Sequence, residues 1–494
     1  MELITPILKT DSKLPIYQQL YSFLKKEIQS GTISFGTKLP SKRKLASYLG
    51  ISQNTIQSAY DQLIEEGYVK AKEKKGFFVC QLDHLQHLML TPAKESTPTI
   101  DSQAATYDYS YHGVDIPTFP FVIWRRLMKE VINEYDQELL VPGDSLGDGK
   151  LRRTIAVYLH QSRGVNCEAQ QIIISSGTEM LFQSLIQLFG KDYIYGIENP
   201  GYEKLNQLFS GNQASFCAIP IDDYGMQPEY IQKSNVNILC ITPAHQFPSG
   251  QIMPINRRIQ LLNWANQASD RYLIEDDYDS EFKYSGKPIP ALQGLDTNEK
   301  VIYMGSLSKS LSPTLRVSYM VLPNHLMKRY HENLSYLLCP VPIFEQKALR
   351  RFIEDGYFER HLNKMRNIYR RKREILTDTM IMAGCPITIL GADAGLHVMV
   401  TVDNHMSEEQ LIASALQQGV KVYGSSKYYY DKAFLPKKPS IILGYAVISE
   451  DKIRASVPRL LTAWFPEHFS DEGNCEIRVN SPHADAIPRE ACYN

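Results

Sequence analysis

Residues 301–320 read Val-Ile-Tyr-Met-Gly-Ser-Leu-Ser-Lys-Ser-Leu-Ser-Pro-Thr-Leu-Arg-Val-Ser-Tyr-Met, and this stretch constrains the chain more than any other. It predicts an apolar strand, a hydroxyl-rich turn holding Lys309, and a second apolar strand starting just past Arg316. A lysine among small hydroxyls, with a guanidinium seven residues on, has what is needed to form an imine with an aldehyde while its neighbours hold a phosphate. Pyridoxal phosphate offers both groups. Most lysines are merely solvated, so the reading depends on whether other segments supply the remaining parts.

The chain has 494 residues, 43% of them apolar, which is enough for two or three globular domains. Its net charge of −1 conceals an asymmetry, because residues 1–80 hold twelve Lys/Arg against seven Asp/Glu. A basic small module on an acidic large one points to a polyanion partner for the first. The eight cysteines are scattered without a CxxC pair, which suits free thiols and neither a disulfide framework nor a zinc site, so no metal is expected. The first residues lack a basic start and an apolar run, and no apolar run approaches membrane length. The expectation is a cytoplasmic protein with no membrane contact.

In residues 1–80, Ile16, Leu20, Leu24 and Ile28 recur every four residues and predict a helix ending near Ser30-Gly31. Ser41 is placed to cap a second helix that turns Leu45, Ala46 and Leu49 inward, and Gly50 supplies the turn. Ser52 is placed to cap a third helix with the apolar set Ile56, Ala59, Tyr60, Leu63 and Ile64. That leaves Gln53, Asn54, Thr55 and Gln57 outward at its start. Two helices around a tight turn, the second presenting amides and hydroxyls, match a helix-turn-helix that reads base edges in the major groove. After Gly67 the pattern alternates as a hairpin with Lys74-Lys75-Gly76 at its tip, set to lie along a phosphate backbone.

Residues 81–107 contain two prolines, several Ser/Thr and an apolar patch from Leu85 to Leu90, and read as a short anchor followed by a flexible linker. From 108 to 465, apolar runs at Ile172–Ile174, Ile194–Ile197, Ile238–Ile241, Tyr272–Ile274 and Val301–Tyr303 alternate with helical stretches. The expected fold is α/β with a mainly parallel sheet and a site at the carboxyl ends of its strands. Those ends bear fitting groups. Ser175-Ser176-Gly177-Thr178 precedes a helix and offers backbone N–H groups to a phosphate. Tyr202 is placed to stack on a pyridine ring, Asp276 to face its nitrogen, and Tyr278 to bond its 3′ oxygen. Residues 466–494 have no periodicity and read as an irregular tail.

These motifs carry two resemblances. Pro15-Ile-Tyr-Gln-Gln, Leu39-Pro-Ser-Lys-Arg-Lys-Leu, Glu66-Gly-Tyr and Lys75-Gly-Phe-Phe-Val resemble the GntR-type winged helix. By that resemblance Arg43, Ser52, Gln53, Asn54, Thr55, Gln57, Lys75 and Gly76 would touch double-stranded DNA. Gln53 and Gln57 stand where relatives often carry arginines, which suits an A·T-richer half-site. The span from 150 to 460 resembles fold-type I aminotransferases. The implied cofactor set is Lys309 as the Schiff-base lysine, with Ser306, Ser308, Arg316, Gly177 and Thr178 on the phosphate. Together the two halves resemble the MocR/GabR subfamily of GntR-type regulators. That resemblance implies a winged helix-turn-helix (α+β) linked to an aminotransferase-like α/β domain, and a head-to-tail homodimer.

Two departures shape the functional expectation. The chain has His245-Gln-Phe-Pro-Ser-Gly250 where aminotransferases have Asn-Pro-x-Asn-Pro-Thr-Gly, so Gln246 is expected near the 3′ oxygen. The late strand Ser440-Ile-Ile-Leu-Gly-Tyr-Ala446 places Ile442 where an arginine normally grips the substrate carboxylate. Losing that bidentate clamp disfavours ordinary transamination. Lys204 stands, by the same alignment, at the other carboxylate-binding position of GABA-responsive members. Three functions remain: a regulator sensing an amine or amino acid, a regulator sensing pyridoxal phosphate itself, or a working aminotransferase with an appended DNA module.

Overall fold

The computed structural model describes residues 8, 14–81, 105–133, 137–284 and 289–469. The chain divides into two units between residues 101 and 102, inside the stretch read as a linker. Residues 82–104 of that linker, with the Leu85–Leu90 patch, lie outside the described residues, as does the tail from 470.

In the smaller unit, helix α1 (Ile16–Gln29) buries Leu20, Leu24 and Ile28, the stripe its spacing predicts. Each such side chain contributes about 1.5–3 kcal/mol on leaving water. Helices α2 (Lys42–Leu49) and α3 (Gln53–Glu65) start on serine caps. Ser41 accepts from the Lys44 N–H and Ser52 from the Thr55 N–H. Gly50 between them sits at φ +65°, a left-handed position that favours glycine. Strands β1 (Val69–Lys72) and β2 (Gly76–Val79) form the hairpin in antiparallel register, Val69 opposite Val79, and Lys38 bridges Phe78 as a further edge.

The larger unit begins earlier than the sequence suggests. Tyr107, assigned to the linker, lies in β3 (Tyr107–Asp108), which pairs with β14 (Val420–Lys421), so this residue belongs to the domain. Helices α4 (Phe121–Asn133) and α5 (Gly149–Arg163) follow, and the Asp148 side chain caps α5 through the Leu151 N–H. The central sheet contains β4 (Ile172–Ser175), β5 (Ile194–Asn199), β6 (Ser215–Asp222), β7 (Gly225–Met226), β8 (Ile238–Ile241), β9 (Tyr272–Asp277), β10 (Val301–Ser306) and β11 (Ser318–Val321). Their spatial order is β4-β11-β10-β9-β8-β5-β6-β7. Strands β6, β5, β8, β9 and β10 run parallel; β11 is antiparallel to both β10 and β4.

Both faces of the sheet are covered, which explains the nearly unbroken apolar runs. Ile274 and Ile302 pack on one side with Leu181, Phe182 and Leu185 of α6 (Thr178–Phe189). Leu273 and Val301 pack on the other with Leu261 and Trp264. A second sheet, β12 (Ile387–Leu390), β13 (His397–Val402), β15 (Tyr423–Gly424) and β16 (Ser440–Gly444), is antiparallel in the order β12-β13-β16-β15. Residues Pro466–Phe469, read as the start of an irregular tail, form a short 3₁₀ turn after the last helix. No helix among the described residues is long and apolar enough to cross a membrane.

Candidate functional site

The carboxyl ends of the parallel strands open onto one cavity of about 520 Å³. Nine of the ten cofactor residues expected from the sequence line it: Gly177, Thr178, Tyr202, Asp276, Tyr278, Ser306, Ser308, Lys309 and Arg316. They come from four separate stretches of the chain (177–178, 202, 276–278 and 306–316), which only the parallel topology brings together.

Lys309 follows the end of β10 and donates to the Tyr111 carbonyl at 2.5 Å. Burial pulls its ammonium down to about 8, against the opposing charge of Asp279. A lysine so shifted holds a useful fraction of free amine near neutrality. The three acids at the end of β9 divide by the two-residue period of a strand. Glu275 accepts from the N–H groups of Leu292 and Gln293, at 2.8 and 2.9 Å. Asp277 accepts from Arg163 at 2.8 Å and from the Tyr303 hydroxyl at 2.7 Å. Asp276 points the other way and lines the cavity, and its Oδ1 is covered yet has no hydrogen-bond partner. Burial, with the neighbouring acids Asp277 and Glu198, pushes its carboxyl up to about 7.

The phosphate end of the set is built by the turn into α6 and the segment after β10. Ser306 Oγ donates to Ser308 Oγ at 3.0 Å and accepts from the Ser308 N–H at 3.2 Å. Gly177 sits at φ +96°, and a Cβ there would lie 2.0 Å from the Arg316 Nη2, so the close approach of that guanidinium requires glycine. Arg316 pairs with Glu179 at 2.9 Å, and Lys204 stands 3.7 Å from the same carboxylate. Burial works against the Glu179 charge, but its backbone hydrogen bond and Arg316 outweigh it and hold the group below its ordinary value. Glu179 was not anticipated, although it directly follows the Gly177-Thr178 pair.

Gln246 corrects the sequence reading. It does not line the cavity. Its amide nitrogen donates to the carbonyls of Pro200 at 2.9 Å and Phe247 at 2.6 Å, and its oxygen accepts from the Ser249 hydroxyl at 2.7 Å. The extra methylene relative to asparagine lets the amide fold back onto its own loop and satisfy backbone groups there. Ile442 is also turned away: it is fully buried against Tyr111, Phe247 and Tyr428. Residues the sequence did not single out complete the wall, among them Tyr111, His112, Asp279 and His397. Asp279 adjoins the Tyr278 motif; nothing local marks Tyr111 or His397, which fold in from distant segments.

In the smaller unit, Arg43, Ser52, Gln53, Asn54 and Lys75 are exposed. Thr55, Gln57 and Gly76 are half-buried, and the Gln57 amide is held between Lys42 and Asp61. Ser52 is engaged as the cap of α3. The wing tip turns at Lys74, φ +57°, and Gly76, φ +106°.

This geometry defines a DNA-binding regulator built on an aminotransferase-like domain, and comparison with known proteins agrees. Residues 16–79 match the family described as bacterial regulatory proteins, gntR family, and residues 109–454 match aminotransferase class I and II. The HTH-type transcriptional regulator YdeL of Bacillus subtilis is 41% identical over 93% of this chain and 99% of that protein. The probable rhizopine catabolism regulatory protein MocR of Rhizobium meliloti is 30% identical over 93% of this chain and 95% of its own. The crystal structure of Pyrococcus horikoshii kynurenine aminotransferase in complex with PMP, 26% identical, superposes with a TM-score of 0.66 over 74% of this chain and 92% of that one. The chain therefore belongs to the MocR/GabR subfamily of GntR-type transcriptional regulators.

Proposed function

We propose that the larger domain binds pyridoxal phosphate at Lys309 and uses it to sense an amine, an amino acid or the cofactor itself, altering promoter binding by the winged helix. The observation that carries this reading is the convergence on one cavity of a lysine with a lowered pKa and a covered carboxylate oxygen that lacks a partner. Among the described residues Asp276 Oδ1 is an acceptor without a donor, and the protonated ring nitrogen of a pyridoxal group would satisfy it.

Tyr278, Ser306, Ser308, Arg316, Tyr202 and the Gly177-Thr178 turn would complete the binding set. Bound there, the cofactor supplies an aldehyde that captures amines and a ring that withdraws electrons. Arg316 would exchange its Glu179 partner for phosphate, leaving Glu179 to Lys204. With Ile442 buried under three aromatic rings, position 442 presents no guanidinium to a substrate carboxylate. That supports sensing over turnover. In this reading the chain acts as a head-to-tail homodimer, which suits paired half-sites, and works in the cytoplasm.

The test is a DNA mobility-shift assay on apo protein, reconstituted protein, and reconstituted protein with a panel of amines. Affinity that changes with cofactor or amine supports sensing. Sustained keto-acid production from an amino donor, with DNA affinity unchanged throughout, would overturn it.

A further inference from the structure

Behind Tyr278 lies a buried pair that the cofactor set does not use. His245 and Asp279 have side chains only 1% and 2% exposed. The His245 Nδ1 lies 2.9 and 3.1 Å from the two Asp279 oxygens and 3.0 Å from the Tyr278 hydroxyl. Its Nε2 is buried with no partner. Gly395 makes room for the pair: at φ +73°, a Cβ there would stand 1.9 Å from the His245 Cε1 and 2.6 Å from Asp279 Oδ2.

These contacts fix the ring's proton. A carboxylate that close to Nδ1 demands an N–H there, since a lone pair facing it is repulsive. A proton on Nε2 as well would leave a buried donor without an acceptor, which is costly. The arrangement therefore selects the neutral ring with its hydrogen on Nδ1. That hydrogen is shared between Asp279 and the Tyr278 oxygen, so the phenol accepts on this side and its own hydrogen must point elsewhere. The cavity, which Tyr278 lines, is where it can go.

We propose that Asp279 and His245 are positioning residues that commit the Tyr278 hydroxyl to donating its hydrogen into the cavity, towards the ring oxygen of the group linked to Lys309. The inference rests on the cofactor reading above. His397, from β13, lies 5.1 Å ring to ring from His245 and donates through Nε2 to the Pro248 carbonyl at 3.1 Å, so it does not compete for Nδ1. The other charges facing this corner are Asp276 and Asp277 on the same strand, Glu198 at the end of β5, and Lys309.

The experiment titrates the visible absorption of the full-length, reconstituted protein against pH. A hydrogen bond to the ring oxygen favours the form in which that oxygen is more negative, after the link to Lys309 has lost its proton. Tyr278→Phe should move the midpoint upward by about one pH unit or more, the size expected for a hydrogen bond to a charged group. Asp279→Asn and His245→Leu should move it in the same direction. The double variant Tyr278→Phe/Asp279→Asn should move it no further than Tyr278→Phe alone. His245→Asn, which keeps an N–H near the same place, should stay close to wild type.

Midpoints unchanged by Asp279→Asn and His245→Leu while Tyr278→Phe shifts would overturn the inference and leave the cofactor reading standing. A wild-type protein that takes up no cofactor would overturn both. Should the buried variants not fold, nitrogen-15 spectra of the wild-type histidines decide the matter: a His245 hydrogen on Nδ1 supports the inference and one on Nε2 alone refutes it.

Discussion

Arg163 donates to Asp277 at 2.8 Å with both side chains almost wholly buried, and this pair isolates Asp276 as the acid of its strand that faces the cavity. Burial holds the Asp276 carboxyl near 7, above its ordinary 3.8. Between those values the folded protein keeps a proton that the unfolded chain has released, so this group makes cofactor-free protein less stable as pH rises from about 4 to about 7. The contribution is a few kcal/mol at most. Asp276→Asn should flatten the fall of Tm across that window, and it should weaken cofactor binding at least about tenfold by removing the charge opposite the ring nitrogen. Thermal unfolding against pH and an absorbance titration check the two effects.

Lys309 gives a second prediction. With its ammonium near 8, roughly a tenth of it is free amine at neutral pH, against about one part in a few thousand for an ordinary lysine. The rate of adduct formation with added cofactor should rise about tenfold per pH unit below 8 and level off above it. Lys309→Ala should abolish the borohydride-fixed adduct, read by mass spectrometry of the tryptic peptide.

Restoring an arginine at position 442 should not restore an aminotransferase. Ile442 is fully buried among Tyr111, Phe247 and Tyr428, so Ile442→Arg places an unpaired charge in an apolar cluster. We expect a loss of roughly 3–5 kcal/mol in urea unfolding and no gain in turnover.

On the DNA side, the Gln57 amide is already held by Lys42 and Asp61, whereas Gln53 and Asn54 stand free in solvent at the start of α3. Gln53→Ala and Asn54→Ala should each cost about 1–3 kcal/mol of operator discrimination, and Gln57→Ala less. Lys75→Ala, at the exposed wing tip, should weaken binding to all sequences alike and lower the salt slope by about one. Fluorescence anisotropy at several salt concentrations separates these effects.

What the sequence made legible follows the range of the forces involved. Caps such as Ser41 and Ser52 act over three residues, and strand ends such as Asp276 and Ser306 are marked by runs of neighbouring apolar residues, so both were readable. Gln246 was misplaced because its role depends on where a loop folds its amide, a matter of one methylene and of carbonyls at Pro200 and Phe247. Ile442 was correctly placed on a late strand, but its surroundings depend on Tyr111 and Tyr428 folding over it. His397 and Tyr111 reach the cavity only through tertiary packing, with no pattern in their own segments to announce it.

The partner of Lys309 is a main-chain oxygen, that of Tyr111. No exchange of side chain at position 111 deletes that atom, so an alanine scan would pass over the contact without registering it. Only an ester substitution in the backbone, or a shift of the whole segment, would reveal how much the resting amine leans on it.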